Sequence, residues 1–146
     1  MTAPNVTAPC SPTLSASARR FLEAPRFAIV ATLNRDGSPH QAVIWYRLDG
    51  EVIVFNSCVG RRWPDNLQRD RRMSFIVADA YDYIYLRGEV EIDDDPEVGQ
   101  AVIADLTRRY EPDEAAADAQ IAGFAAQRRV TFRLRPRRVF EHLSGD

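Results

Sequence analysis

The residues best equipped for chemistry are two adjacent arginines, Arg61 and Arg62, in the run Cys58-Val59-Gly60-Arg61-Arg62-Trp63-Pro64-Asp65-Asn66-Leu67. The run reads as the end of a strand, a glycine turn and the start of a helix, with Pro64 in the first helical turn. A helix start offers unpaired N–H groups and a positive partial charge, so it attracts phosphate. Guanidinium groups add forked donors. Each charge-assisted hydrogen bond contributes about 1.5–3 kcal/mol. Ser57, at the strand end, adds a neutral donor. The same run also reads as a solvated turn with two surface arginines. Lysine is absent from the chain, so any anion site must use Arg, backbone N–H groups or neutral donors.

Trp63 offers a large flat face for a ring, or an anchor that seats the short helix in the core. Trp45, Tyr83 and Tyr85 are a second candidate set. Strand alternation puts Tyr83 and Tyr85 on one face. With Trp45 they read either as the lining of a pocket for a flat apolar substrate or as ordinary packing. The run from Arg128 to Arg138 holds six arginines and no acid. Alone it suggests a polyanion. Pairing of Arg133 and Arg135 with Glu89, Glu91 and Asp93 across neighbouring strands explains it better. His40 and His142 are isolated and lack metal-ligand spacing. Cys10 and Cys58 form neither a redox nor a metal motif. No metal site, Ser-His-Asp arrangement or Walker loop is visible, and no side chain stands out as a catalytic acid or base.

The elements that must position these residues follow from local pattern. Met1 to Thr13 reads as a loose tail, and residues 14–146 as one domain. Leu14, Ala18, Phe21 and Leu22 mark a short amphipathic helix that ends before Pro25. Strands are expected at 27–33, 39–48, 51–57, 72–78, 83–92 and 129–134, with 139–143 extending the sheet. The first three follow one another through Asp36-Gly37 and Asp49-Gly50 turns, which implies an antiparallel meander. A short helix is expected up to about Arg69, a longer one from Asp94 to Tyr110, and a third over 113–124. Six strands with close-set turns indicate a closed or nearly closed antiparallel barrel with flanking helices, mainly β within the α+β class.

A formal net charge of −2 gives no general attraction to nucleic acid or to membranes. Neither a signal peptide nor a membrane-length apolar run is seen, and the expected location is the cytoplasm.

The stretch Ala31-Thr32-Leu33-Asn34-Arg35-Asp36-Gly37-Ser38-Pro39-His40, then Val43-Ile44-Trp45-Tyr46, Asp49-Gly50 and Val54-Phe55, resembles the pyridoxamine 5′-phosphate oxidase-like flavoproteins. Gly60-Arg61-Arg62-Trp63-Pro64, Asn66-Leu67, Arg69-Asp70, the strand Tyr85 to Ile92 and Arg109-Tyr110 resemble its actinobacterial branch, rich in oxidoreductases that use the deazaflavin coenzyme F-420. The resemblance covers about Phe21 to His142. It implies an FMN-binding type of split β-barrel, and a homodimer with two cofactor sites at the subunit interface. It further implies that Gln41, Ala42, Val43 and Ile44 run under the ring, largely through backbone groups. Ser57, Arg61 and Arg62 would approach the phosphate, with Trp63 and Asn66 beside them. Trp63 stands where family members often carry a basic residue. Gln41 and Tyr46 fall near places where pyridoxamine phosphate oxidases carry Arg and Lys. The implied activity is hydride transfer from reduced F-420 to an unsaturated small molecule. The alternatives are an FMN-dependent relative and a non-catalytic flavin or ligand binder.

Overall fold

The computed structural model describes residues 13–145. The expected tail at 1–13 therefore lies outside the described residues except for Thr13. Twelve elements follow in order: α1 Ala16–Glu23, β1 Ala28–Leu33, β2 Pro39–Ile44, β3 Arg47–Asp49, β4 Val52–Cys58, α2 Arg62–Arg69, β5 Arg72–Asp79, β6 Asp82–Asp93, α3 Pro96–Tyr110, α4 Glu114–Phe124, β7 Arg129–Leu134 and β8 Arg138–His142.

The helix ends follow local chemistry. Ser15, Asp95 and Asp113 cap α1, α3 and α4 by accepting from Ala18, Glu97 and Ala116 N–H groups. Pro96 opens α3, where its missing N–H is harmless. Gly37 has φ 83° and closes the β1–β2 turn. Gly60 has φ 101° and turns the chain from β4 into α2.

The strands form one antiparallel sheet in the order β2-β1-β5-β6-β7-β4-β3, with β8 on β6. The expected three-strand meander is corrected here. The second expected strand is divided at Trp45-Tyr46 into β2, which pairs only β1, and β3, which pairs only β4. These two halves are the opposite edges of the sheet. The chain itself bridges the edges, so the sheet curls into a barrel closed by a covalent corner and not by a continuous hydrogen-bonded ladder. That division and β8 raise the strand count from six to eight.

Tyr46 plugs the corner. It is fully buried, stands edge-on to Phe75 at 5.1 Å, and donates its hydroxyl to the Leu22 carbonyl at 2.8 Å. A buried hydroxyl needs such a partner. Around it the barrel core is built from alternate strand residues, including Val30, Ile53, Phe55, Phe75, Ile84, Leu86, Phe132 and Leu134. A smaller cluster of Val54, Val102 and Leu106 seats α3 on the outer face of β4.

The C-terminal arginine run does not present one basic face. Arg129 is buried on the face of β7 opposite Val130 and Phe132, against α3 and α4. Arg133 pairs with Asp93 at 3.2 Å and Arg137 with Glu89 at 3.5 Å, while Arg135 takes no ion pair among the described residues. Pairs this exposed each contribute about 1 kcal/mol at most.

Candidate functional site

The segment 60–63 stands between two cavities, and its two arginines face different ones. Arg62 opens onto a broad polar basin of about 720 Å³ between the β1–β2 turn and α2. Asn34, Arg35, Asp36 and Ser38 line it on one side, and Gly60, Asp65, Asn66 and Arg69 on the other. Arg61 instead lines a smaller cavity of about 200 Å³, with Val43, Ile44 and Trp45 from the corner, Asn56, Trp63 and Arg129 from the barrel, and Ile103, Leu106 and Phe124 from the helices. Neither arginine side chain forms a hydrogen bond or ion pair among the described residues. The first α2 N–H groups have no side-chain cap.

The basin is held in shape by Asn66. Its Nδ2 donates to Thr32 Oγ1 at 3.1 Å and Asn34 Oδ1 at 3.0 Å, and its Oδ1 accepts from Arg69 at 3.2 Å. Arg69 also donates to the Leu33 carbonyl. This tie fixes α2 against β1. Across the basin, the Ser38 N–H and hydroxyl donate to Asp36 at 3.0 and 2.5 Å. These bonds hold the Asp36 carboxyl below its ordinary range, with a smaller contribution from Arg62. Arg35, Arg62 and Arg69 thus face only Asp36 and Asp65, and the basin retains a net positive charge.

Trp63 is the core anchor among its two expected roles. It is 5% exposed and packs on Phe132 at 5.3 Å and Phe55 at 5.8 Å, leaving only one side to the smaller cavity. Ser57 is 1% exposed and on the same face of β4 as Phe55. Its Oγ has no hydrogen-bond partner, a polar atom left unsatisfied one residue before Cys58. Gln41 and Val43 are exposed on edge strand β2, whose outer edge no other strand among the described residues covers. Ala42 and Ile44 turn toward the core.

The aromatic residues do not gather in one place. Trp45 lines the smaller cavity and stacks on Tyr110 at 5.2 Å. Tyr83 and Tyr85 stand on the outer face of β6, against His142 and Phe140 of β8. Strand register carries that outer face on as Phe140–Tyr85–Ile76–Ile29–Val43 across five strands. Val43, at 67% exposure, belongs both to this apolar stripe and to the smaller cavity.

Two tyrosine hydroxyls near the corner are already engaged. Tyr110 donates to the Arg26 carbonyl at 2.6 Å and accepts from the Tyr46 N–H at 3.2 Å. Burial pushes both phenols upward. Neither lines the smaller cavity.

Arg129 was missed from sequence, where it is one of six arginines in a run. It makes the cavity strongly cationic together with Arg61. No group of His, Cys, Asp and Glu among the described residues is arranged to hold a metal ion. No helix among them is long and apolar enough to cross a membrane.

A family model described as pyridoxamine 5′-phosphate oxidase matches residues 14–143. Among solved structures, an F420 reductase is 28% identical, with a TM-score of 0.71 over 88% of this chain and 100% of its own. A conserved hypothetical protein from Mycobacterium tuberculosis is 24% identical, with a TM-score of 0.72 over 93% of this chain and 94% of its own. The heme storage protein HutZ from Vibrio cholerae is 18% identical, with a TM-score of 0.68 over 89% and 95%. The last two likenesses are of fold alone. No curated protein sequence matches the chain.

Proposed function

The chain belongs to the pyridoxamine 5′-phosphate oxidase family, and from that premise we propose that it is an oxidoreductase that binds reduced coenzyme F-420 along edge strand β2. The carrying observation is the cationic segment Gly60–Arg62 beside that uncovered edge. Arg62, with the uncapped start of α2, supplies donors for the cofactor's phosphate. The exposed backbone edge of Gln41–Ile44 supplies donors and acceptors to a ring. Val43 supplies an apolar surface beneath it. The unspent donors of Arg62 and the net positive basin fit a phosphate-bearing group. The likeness to an F420 reductase favours the deazaflavin over FMN.

When bound, the reduced ring supplies a hydride to an unsaturated acceptor. The chain's own part is to orient and to exclude water. Trp45, stacked on Tyr110, closes one wall of the cavity beside Val43. The nearby Tyr46 and Tyr110 hydroxyls are committed to backbone carbonyls, so neither is free to deliver the accompanying proton.

FMN is the second reading, and the description of the matching family favours it. Titration of the purified protein with F-420 and with FMN, followed by absorption and fluorescence, separates them. Binding of F-420 and its oxidation by a panel of enones, quinones and nitro compounds is the expected result. Binding of FMN alone would replace the cofactor, and binding of neither would end the enzyme reading.

The proposed assembly is a homodimer through the outer stripe of Val43, Ile29, Ile76, Tyr85 and Phe140. A continuous apolar stripe on an outer sheet face marks an interaction surface. A second copy docked there would reach Val43, and the proposed cofactor site would then lie at the interface.

A further inference from the structure

Arg129 is a buried cation with no salt-bridge partner among the described residues. It is 5% exposed. Its Nε donates to Asn56 Oδ1 at 2.5 Å, one Nη donates to the Gln127 side chain, and the guanidinium lies 5.0 Å over the Phe124 ring. All three partners are neutral. The other Nη donates to nothing among the described residues, and it is not sealed in the way that Ser57 Oγ and Arg109 Nε are. Its spare donors reach the smaller cavity, which Arg129 lines. Burial pulls its pKa below the ordinary guanidinium value; the neighbouring Cys58 opposes that shift, and the like charge of Arg61 adds to it.

Burying a charge carries an effective penalty of several kcal/mol unless it is paired. A carboxyl or a lysine can shed its charge instead, but a guanidinium does not deprotonate in a protein. An anion brought from outside would supply the compensating charge. The shape of the cavity says which kind. It is below the roughly 300–1,000 Å³ of a site for a drug-sized ligand, so it takes a small group. Trp45, Ile103, Leu106 and Phe124 make about half of its wall apolar, and no acid lines it. The Asn56 amide is already spent on the Gly99 carbonyl and Thr131 Oγ1, each at 3.1 Å. The guanidinium fork matches carboxylate and phosphate alike, but only a carboxylate brings an apolar body to cover the apolar part of the wall.

We infer that this cavity is a subsite for a small apolar carboxylic acid, held with its carboxylate between Arg129 and Arg61 and its apolar body against Trp45 and Phe124. The inference stands on the cavity and not on the cofactor. Where the oxidoreductase reading also holds, it makes the acceptor an unsaturated carboxylic acid.

The test is direct binding of benzoate to the full chain without added cofactor, followed by the fluorescence of Trp45 and Trp63. Benzyl alcohol and inorganic phosphate serve as the neutral and multiply charged comparisons. Saturable binding of benzoate, at least about tenfold tighter than benzyl alcohol and not displaced by phosphate, is expected. Arg129→Gln should weaken it by about tenfold to a hundredfold. Arg61 is exposed, so Arg61→Gln leaves the core intact and should weaken benzoate about tenfold even if Arg129→Gln fails to fold. Arg138→Gln, on the outer face of β8, should leave binding unchanged. Equal binding of benzyl alcohol, displacement by phosphate, or full affinity in Arg61→Gln would each overturn the subsite. Protein that binds benzoate this way but neither F-420 nor FMN would uphold the subsite and end the oxidoreductase reading; binding of a cofactor without benzoate would do the reverse.

Discussion

Arg61 and Arg62 are neighbours in sequence and face different cavities: Arg62 the broad polar basin beside the β1–β2 turn, Arg61 the small cavity it shares with Arg129. The extended conformation of Arg61 at the α2 N-cap (φ −80°, ψ 155°) accounts for this, since successive side chains of an extended chain point apart. The two arginines therefore have separable roles, and substitution of each should affect a different ligand.

Arg62→Ala should weaken binding of the phosphate-bearing cofactor by about tenfold to a hundredfold, the worth of one charge-assisted contact. A fluorescence titration measures it. Unchanged affinity would remove Arg62 from the phosphate grip and leave the fold untouched.

Asn66→Ala should lower stability by about 1–3 kcal/mol, because Thr32 and the Asn34 side chain lose a buried donor in one step. Thermal and denaturant melts report it. A loss below a few tenths of a kcal/mol would show that α2 is seated by Trp63 and Leu67 alone.

Gly99→Ala tests the fit of α3 on the sheet. A Cβ on Gly99 would lie 2.6 Å from the Arg129 carbonyl oxygen, which is backbone and cannot swing aside. Overpacking of this kind costs typically about 1–3 kcal/mol. The helix must shift, so benzoate binding at Arg129 should fall together with stability. A variant as stable as the parent would contradict this close approach.

Asp70 predicts a pH effect. Hydrogen bonds from Arg72 hold its carboxyl down to about 2, against an ordinary value of 3.8. A carboxyl depressed on folding contributes stability above its unfolded value and loses that contribution as pH falls through about 2. Both side chains are open to solvent in part, so the contribution is small. Arg72→Ala should move the Asp70 titration, followed by carboxyl NMR shifts, upward toward the ordinary range, with the residue-72 N–H still holding it somewhat low. A titration unchanged from the parent's would assign the shift to something other than the Arg72 side chain.

The outer stripe predicts assembly. Phe140→Asp places a charge on the exposed end of the apolar stripe and should convert a dimer to a monomer in sedimentation analysis. An unchanged mass, or a parent protein that is already monomeric, would remove the stripe from the interface.

By itself the sequence determined the elements, the turns and the family. Strand alternation, Asp-Gly turns, Asp caps and the Gly60–Asn66 run are local signals, and each is read from a few adjacent residues. The split-barrel class and its family followed from their order. Three decisions belonged to the tertiary structure alone. Strand two broke at Trp45-Tyr46 because its halves pair different neighbours on opposite edges, and pairing partners lie far along the chain. Trp63 became a core anchor because Phe55 and Phe132 meet it from two other strands. Arg129 became a buried cation because α3 and α4 fold over its strand end. In sequence it is one arginine among six, since burial and the lack of a salt-bridge partner among the described residues depend on what the distant parts of the chain bring beside it.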